Sequence, residues 1–235
     1  MQEKTNLDAV KHVAKSLLML EPDFDVDYPF IVHHSFMSTP FFSTSEGMLD
    51  IRIPEQFDKV VEHMAGIIDR ANSVASVEVF ITKPYKSVFF KLIQDYLDPK
   101  DYGRTLQEVW TTSENPNQDV NVSIALWIKY FKKADKHCIM DDIDYAVYDE
   151  LPDQVTIYRG VAEGREPYGL SWTNNYDTAS WFAHRFQTKN PYILTTTCDK
   201  KDVFAYFNRR NEDELVVNIK ALDKSQITKL EGDNL

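Results

Sequence analysis

Apolar positions along the chain change their period partway through. Over residues 5–20, Leu7, Val10, Val13, Ala14, Leu17 and Leu18 recur at spacings of three and four, which predicts an amphipathic helix. Glu21-Pro22-Asp23 ends it. Phe30-Ile31-Val32 is a short apolar run, and Ser43-Thr44-Ser45-Glu46-Gly47 reads as a loop. A second helix is predicted over 55–70 from Phe57, Val60, Val61, Met64, Ile67 and Ile68. A third carries Val88, Phe89, Leu92, Ile93 and Tyr96 and ends near Asp98-Pro99. Asn115-Pro116-Asn117 is a stop. Residues 120–133, with Ile124, Ile128 and Phe131 on one face, predict another helix, and 137–149 a further one. After Leu151-Pro152-Asp153 the texture becomes β-rich. Strands are predicted at 155–158, 192–197, 203–207 and 215–219, with one short helix over 179–186. The fold class expected is α+β: a mostly helical region over 1–150, then a strand-built core over 151–235.

Composition narrows the function classes. The chain has 235 residues, of which 43% are apolar, enough to bury a core. No apolar run approaches the roughly 18 residues that a spanning helix needs, and no membrane partner is expected. The first residues carry no basic segment leading into an apolar stretch, so a cytoplasmic location is expected. Cys138 and Cys198 form no CxxC pair, which removes a disulfide scaffold or cysteine-rich zinc site. The seven glycines form neither GxGxxG nor GxxxxGK[ST]. Net charge is −11, and it is uneven. Residues 1–150 hold 15 Lys and Arg against 25 Asp and Glu, a balance of −10, while 151–235 hold 11 against 12. So acidic a first half disfavours indiscriminate nucleic-acid binding and suits a solvated surface or a basic partner protein.

Three patches of the last third bear chemistry. Tyr158-Arg159-Gly160 ends a predicted strand. Gly169-Leu170-Ser171-Trp172-Thr173 precedes the helix with Ala179-Ser180-Trp181-Phe182-Ala183. Glu212-Asp213-Glu214 enters the strand Leu215-Val216-Val217. Singly these read as a surface ion pair, a minor hydrogen-bond donor and a solvated turn. If residues 212–214 are extended, Glu212 and Glu214 share one face and Asp213 the other. Two such carboxylates can divide labour, and an arginine fork suits a diphosphate. His33-His34 lack further ligands at metal spacing, so no metal is expected. His184, Cys198, Asp141-Asp142 with Asp144, and Lys132-Lys133 with Lys136 read as ordinary surface or core positions.

In order and context, Arg159, Ser171-Trp172-Thr173 and Glu212-Asp213-Glu214 resemble the R-S-E class of ADP-ribosyltransferases over about residues 155–220, with Trp172 in place of that family's middle Thr. The resemblance implies two packed β-sheets around an NAD cleft, with the helical region covering one side. NAD+ is then the co-substrate, and no metal is needed because nicotinamide leaves as a neutral group. Glu214 is implied to stabilise the ribosyl cation and bond the ribose 2′-hydroxyl, Arg159 to hold the diphosphate or ribose, and Ser171 to orient Glu214. The Gly160 backbone is implied to meet the nicotinamide amide, with Thr173 and Trp181 also on the cofactor side. Glu212 would engage a macromolecular acceptor, a protein arginine before a nucleic-acid base. The loop Phe207 to Asn211, with Arg209 and Arg210, would sit where acceptors are read. The settings that fit are an intracellular toxin with an inhibitor or antitoxin protein, a phage-encoded modifier, or a phage-defence effector. Rival readings are an NAD+ glycohydrolase and a non-catalytic binding module.

Overall fold

The computed structural model describes residues 2–45, 47–186, 189–209 and 211–231. The chain divides into two compact units, Met1–Ser113 and Glu114–Leu235. No helix among the described residues is long and apolar enough to cross a membrane.

The first unit is helical. Helix α1 (Leu7–Leu18) starts where Asn6 accepts a hydrogen bond from the Ala9 amide at 3.0 Å, and it buries Val10, Ala14, Leu17 and Leu18. Two short hairpins follow, β1 (Asp23–Phe24) with β2 (Val32–His33) and β3 (Phe41–Thr44) with β4 (Gly47–Asp50). Helix α2 (Pro54–Arg70) buries Val60, Met64 and Ile68. Ser73 and Ser76 cap α3 (Val74–Glu78) reciprocally. Helix α4 (Lys86–Ile93) buries Phe89, Phe90 and Ile93, and Phe90 meets Tyr102 of α5 (Pro99–Thr112) edge-on. Helix α5 differs from the expectation, in which Asp98-Pro99 marks only a stop. The same pair starts a helix: Asp98 caps the Asp101 amide at 2.9 Å and Pro99 holds the first helical position.

The second unit is a sheet with helices laid on it. Helices α6 (Ile124–Lys133), α7 (Lys136–Ile139) and α8 (Asp142–Asp149) precede strands β5 (Gln154–Val161) and β6 (Ser171–Thr173). Helix α9 (Tyr176–His184) and strands β7 (Tyr192–Asp199), β8 (Val203–Phe207), β9 (Glu214–Val217) and β10 (Thr228–Glu231) complete it. The division falls at residue 113 rather than at the expected 150, because α6 to α8 bury their apolar faces on the second unit's own sheet. Phe131 stacks on Phe204 of β8, and the Tyr206 amide of β8 donates to Met140 Sδ.

All six of these strands belong to one antiparallel sheet in the order β10-β7-β5-β6-β9-β8, where two packed sheets were expected. The ladder is uneven. Strand β5 pairs with β7 from Gln154↔Asp199 to Val161↔Tyr192, whereas it meets β6 only at Tyr158↔Thr173. One bridge therefore joins two three-stranded halves, and the last residues of β5 run on without β6 beside them.

Candidate functional site

Arg159 lies just past that bridge, and its guanidinium is tied to main chain. Nε donates to the Pro167 carbonyl at 3.1 Å, Nη2 to the Glu166 carbonyl at 2.7 Å, and Nη1 to the Ser171 carbonyl. Three of an arginine's five N–H donors are thus engaged, and the side chain pins the 166–171 segment to the end of β5. Burial pushes the guanidinium down to about 10, while the nearby Glu214 and Glu166 carboxylates favour its proton, so it is charged at neutral pH.

The segment held by Arg159 has a second anchor. Asn117, in the 3-10 turn Pro116–Gln118, accepts from the Leu170 amide at 2.6 Å, and Gln118 Nε2 donates to the Gly164 carbonyl at 3.0 Å. Trp127 of α6 fixes that turn through Nε1 to the Pro116 carbonyl at 2.9 Å. Gly169 is required here: a Cβ would lie 2.5 Å from Asn117 Cγ and 2.7 Å from Arg159 Nη2. In the sequence Asn117 belongs only to the stop Asn115-Pro116-Asn117, which does not reveal this role. Gly169, which leaves room for its side chain, opens the second patch and is the available signal.

Strands β6 and β9 bring the other two motifs together. Their register sets Thr173 opposite Glu214 and Ser171 opposite Val216. Ser171 Oγ–H donates to Glu214 Oε1, and Glu214 is buried. Thr173 is buried and its hydroxyl accepts from the Asn175 amide at 3.1 Å, so it shapes the start of α9. Trp172 is core, with Nε1 donating to the Gly169 carbonyl at 2.9 Å.

The acidic triplet is not extended as expected. Strand β9 begins at Glu214, and Asp213 has a left-handed backbone with φ 45°. Strand alternation therefore does not place half-buried Glu212 on the face of Glu214. Hydrogen bonds hold the turn: Tyr206 Oη donates to Asp213 Oδ1 at 2.7 Å and Asn175 Nδ2 to Oδ2 at 3.3 Å. The Asp213 amide donates to Asn208 Oδ1, and the Asn208 amide to Asp144 of α8, each at 3.2 Å. Burial, with Asp141 nearby, raises the Asp144 carboxyl, and burial with the Asp213 charge raises the Tyr206 phenol. Arg209 lies in this turn, and Arg210 lies outside the described residues.

Gly160 and Trp181 lie on β5 and α9. A Cβ on Gly160 would lie 2.6 Å from the Ala183 amide nitrogen of α9 and closer still to the Ala179 carbonyl oxygen. Gly160 thus lets α9 seat on β5, where Ala179 and Ala183 pack with Ile193. Trp181 points outward, 56% exposed, with Phe182 half-buried beside it. Burial pushes the Cys198 thiol up to about 12, so at neutral pH it is no thiolate.

Arg159, Ser171 and Glu214 therefore converge, while Gly160, Thr173 and Trp181 serve packing or face solvent. This cluster can hold a buried carboxylate at fixed orientation beside a fixed positive charge. Comparison with protein-family models, with curated proteins and with solved structures finds no match to this chain.

Proposed function

We propose that the chain is an NAD+-dependent mono-ADP-ribosyltransferase, with an ADP-ribosyltransferase-like core whose NAD cleft lies at the thin joint between the half-sheets. One observation carries this reading: Arg159 donates to the Ser171 carbonyl and Ser171 Oγ–H donates to Glu214, so an Arg, a Ser and a Glu distant in sequence meet at one point. The chemistry needs little more. Nicotinamide departs neutral, and positive charge grows on the ribose carbon. A carboxylate at about 4 Å in a partly shielded site stabilises that charge by about 4 kcal/mol, roughly a thousandfold in rate. Ser171 fixes the Glu214 carboxylate before reaction, and Arg159 keeps the segment around it in place. The acceptor is a macromolecule, a protein arginine before a nucleic-acid base. Its nitrogen attacks the ribose carbon, and Glu212 takes the proton released.

A second reading, NAD+ glycohydrolase, is favoured by the left-handed Asp213, since no strand register aims Glu212 at an acceptor. Labelled NAD+ incubated with the protein and a cell lysate, followed by protease or nuclease, separates the readings. Label released by protease supports the protein acceptor, label released by nuclease the base, and free ADP-ribose alone hydrolysis. Glu214→Gln should cut NAD+ turnover about 10³-fold with little change in NAD+ affinity, because the charge acts mainly in the transition state. Equal turnover in the two proteins sinks the assignment.

A further inference from the structure

The first unit carries an apolar face that its own core does not use. The loop joining β1 to β2 displays Val26 (94% exposed), Tyr28 (65%) and Phe30 (66%), with Ile31 exposed beside them. Phe30 meets Phe41 of β3 at 6.2 Å between ring centroids, and Phe41 is exposed too, so the two hairpins share this face. At about 200 Å² per aromatic side chain, the three rings alone leave roughly 300 Å² in water, a size at which a patch on a monomer is often functional. The loop is held in this display by its own bonds. Asp25 Oδ1 accepts from the amides of Asp27 at 2.9 Å and Tyr28 at 2.8 Å. The Ile31 amide donates to the Tyr28 carbonyl at 2.8 Å, and the Asp25 amide to the Ile31 carbonyl at 3.1 Å. Below them, buried Val32 pairs with Phe24. A face set in advance costs a partner little ordering entropy.

The charge around it has one sign. Between Lys15 and Arg52 the sequence has no Lys or Arg. Glu21, Asp23 and Asp27 are exposed, and among the described residues none of them has a Lys or Arg at ion-pair distance. Asp25 has His33 Nε2 at 3.6 Å. That sign selects the occupant. A second copy brought face to face would double the carboxylates with no cation to meet them, and anionic lipid and nucleic acid are repelled likewise. A protein segment whose apolar side chains are flanked by Lys or Arg satisfies both the rings and the rim. Strands β1 and β2 are two residues each, too short to take up an added strand, so such a segment is read through its side chains, as an amphipathic helix is.

We propose that the face around Val26, Tyr28, Phe30 and Phe41 is a docking surface for a basic amphipathic helix of a partner protein. This surface is independent of the transferase reading.

The test is fluorescence anisotropy of the full chain with two labelled synthetic helices, one with leucine at i, i+3, i+4 and i+7 and lysine elsewhere, the other with glutamate for lysine. The lysine helix should bind at least about tenfold tighter than the glutamate helix, and added salt should weaken it. Tyr28→Ser and Phe30→Ser should each weaken it about tenfold, the loss of an aromatic anchor. Asp23→Asn with Asp27→Asn should weaken it about threefold. All these side chains are exposed, so the thermal midpoints should stay put. Val120→Ser, at an equally exposed apolar residue of the second unit, should change nothing. The surface is refuted if the wild type binds neither helix, or binds the glutamate helix as tightly. It is refuted equally if the Tyr28→Ser, Phe30→Ser double variant binds within about twofold of wild type, or if Val120→Ser loses as much. Unchanged affinity in the double asparagine variant removes the charge complementarity that chose the partner. Self-association, or binding to phosphatidylcholine vesicles, that Phe30→Ser abolishes would give the face to a second copy or a membrane and overturn the proposal.

Discussion

Gly160→Ala tests whether this glycine serves packing or a ligand. Ordinary contact begins near 3.4 Å, and the new methyl would stand 2.6 Å from the Ala183 nitrogen, with the Ala179 oxygen nearer still. Both obstacles are helix backbone, so no side-chain rotation relieves them. Helix α9 must retreat from β5 by at least about 0.8 Å, which forfeits roughly a quarter to a half of the dispersion attraction along that face. The face is Ala179 and Ala183 against Ile193, with Tyr158 and Leu230 at its margin. Overpacking of a core costs about 1–3 kcal/mol, and a backbone obstacle puts this case at about 3. With a urea dependence of about 1.5 kcal/mol per molar, the midpoint should fall by about 2 M. Tryptophan fluorescence suits the assay, because Trp127, Trp172 and Trp181 lie in the second unit and only Trp110 in the first. An unchanged midpoint would refute the packing argument. An unchanged midpoint with weakened NAD+ binding would restore the nicotinamide contact implied by resemblance.

Two further outcomes are expected. Glu78 is buried, with Lys86 Nζ at 3.5 Å, and burial raises its carboxyl to about 7. A raised carboxyl favours the protonated folded form, so its contribution is full below about 4.5 and fades as pH climbs through about 7, by about 3 kcal/mol in all. His34, its imidazole lowered by burial, acts oppositely below pH 6.5, so the quantity to read is the wild-type stability minus that of Glu78→Gln from pH 5 to pH 8. That difference should shrink by about 3 kcal/mol across the range, and a flat difference would contradict the burial argument. Asp213→Ala puts a methyl at φ 45° and removes the partner of the Tyr206 hydroxyl, and should cost about 2–3 kcal/mol in urea denaturation. Asp213→Asn, which tolerates that backbone and keeps an acceptor, should stay within about 1 kcal/mol, and equal losses in both variants would show that neither strain nor the hydroxyl matters.

Periodicity made α1, α2, α4 and the long strands readable, because burying one face imposes a repeat on the residues. Elements set by boundary chemistry were less legible. Asp98-Pro99 ends one helix and starts the next, and the residue types are the same for both tasks. Strand β10 is four residues in which Leu230 is the only apolar side chain, too short to repeat. At the site, Arg159, Ser171 and Glu214 were picked out together through the order of motifs that resembles the R-S-E class, and the structure brings them into contact. Directions were not legible. Whether Gly160 spares room for a ligand or a helix depends on α9 coming back across β5. The left-handed turn at Asp213 is fixed by Tyr206 across the β8–β9 turn and by Asn175, 38 residues away. Asn117 acts through 53 residues of separation, beyond any local pattern.

The carbonyl ties of Arg159 have a thermodynamic corollary. A loop stitched to a strand end by one guanidinium and to a helical turn by Asn117 loses its conformational freedom when the polypeptide collapses, not when a small molecule arrives. On the proposed transferase reading, NAD+ binding at this spot would therefore bear little of the entropy of arranging its own walls.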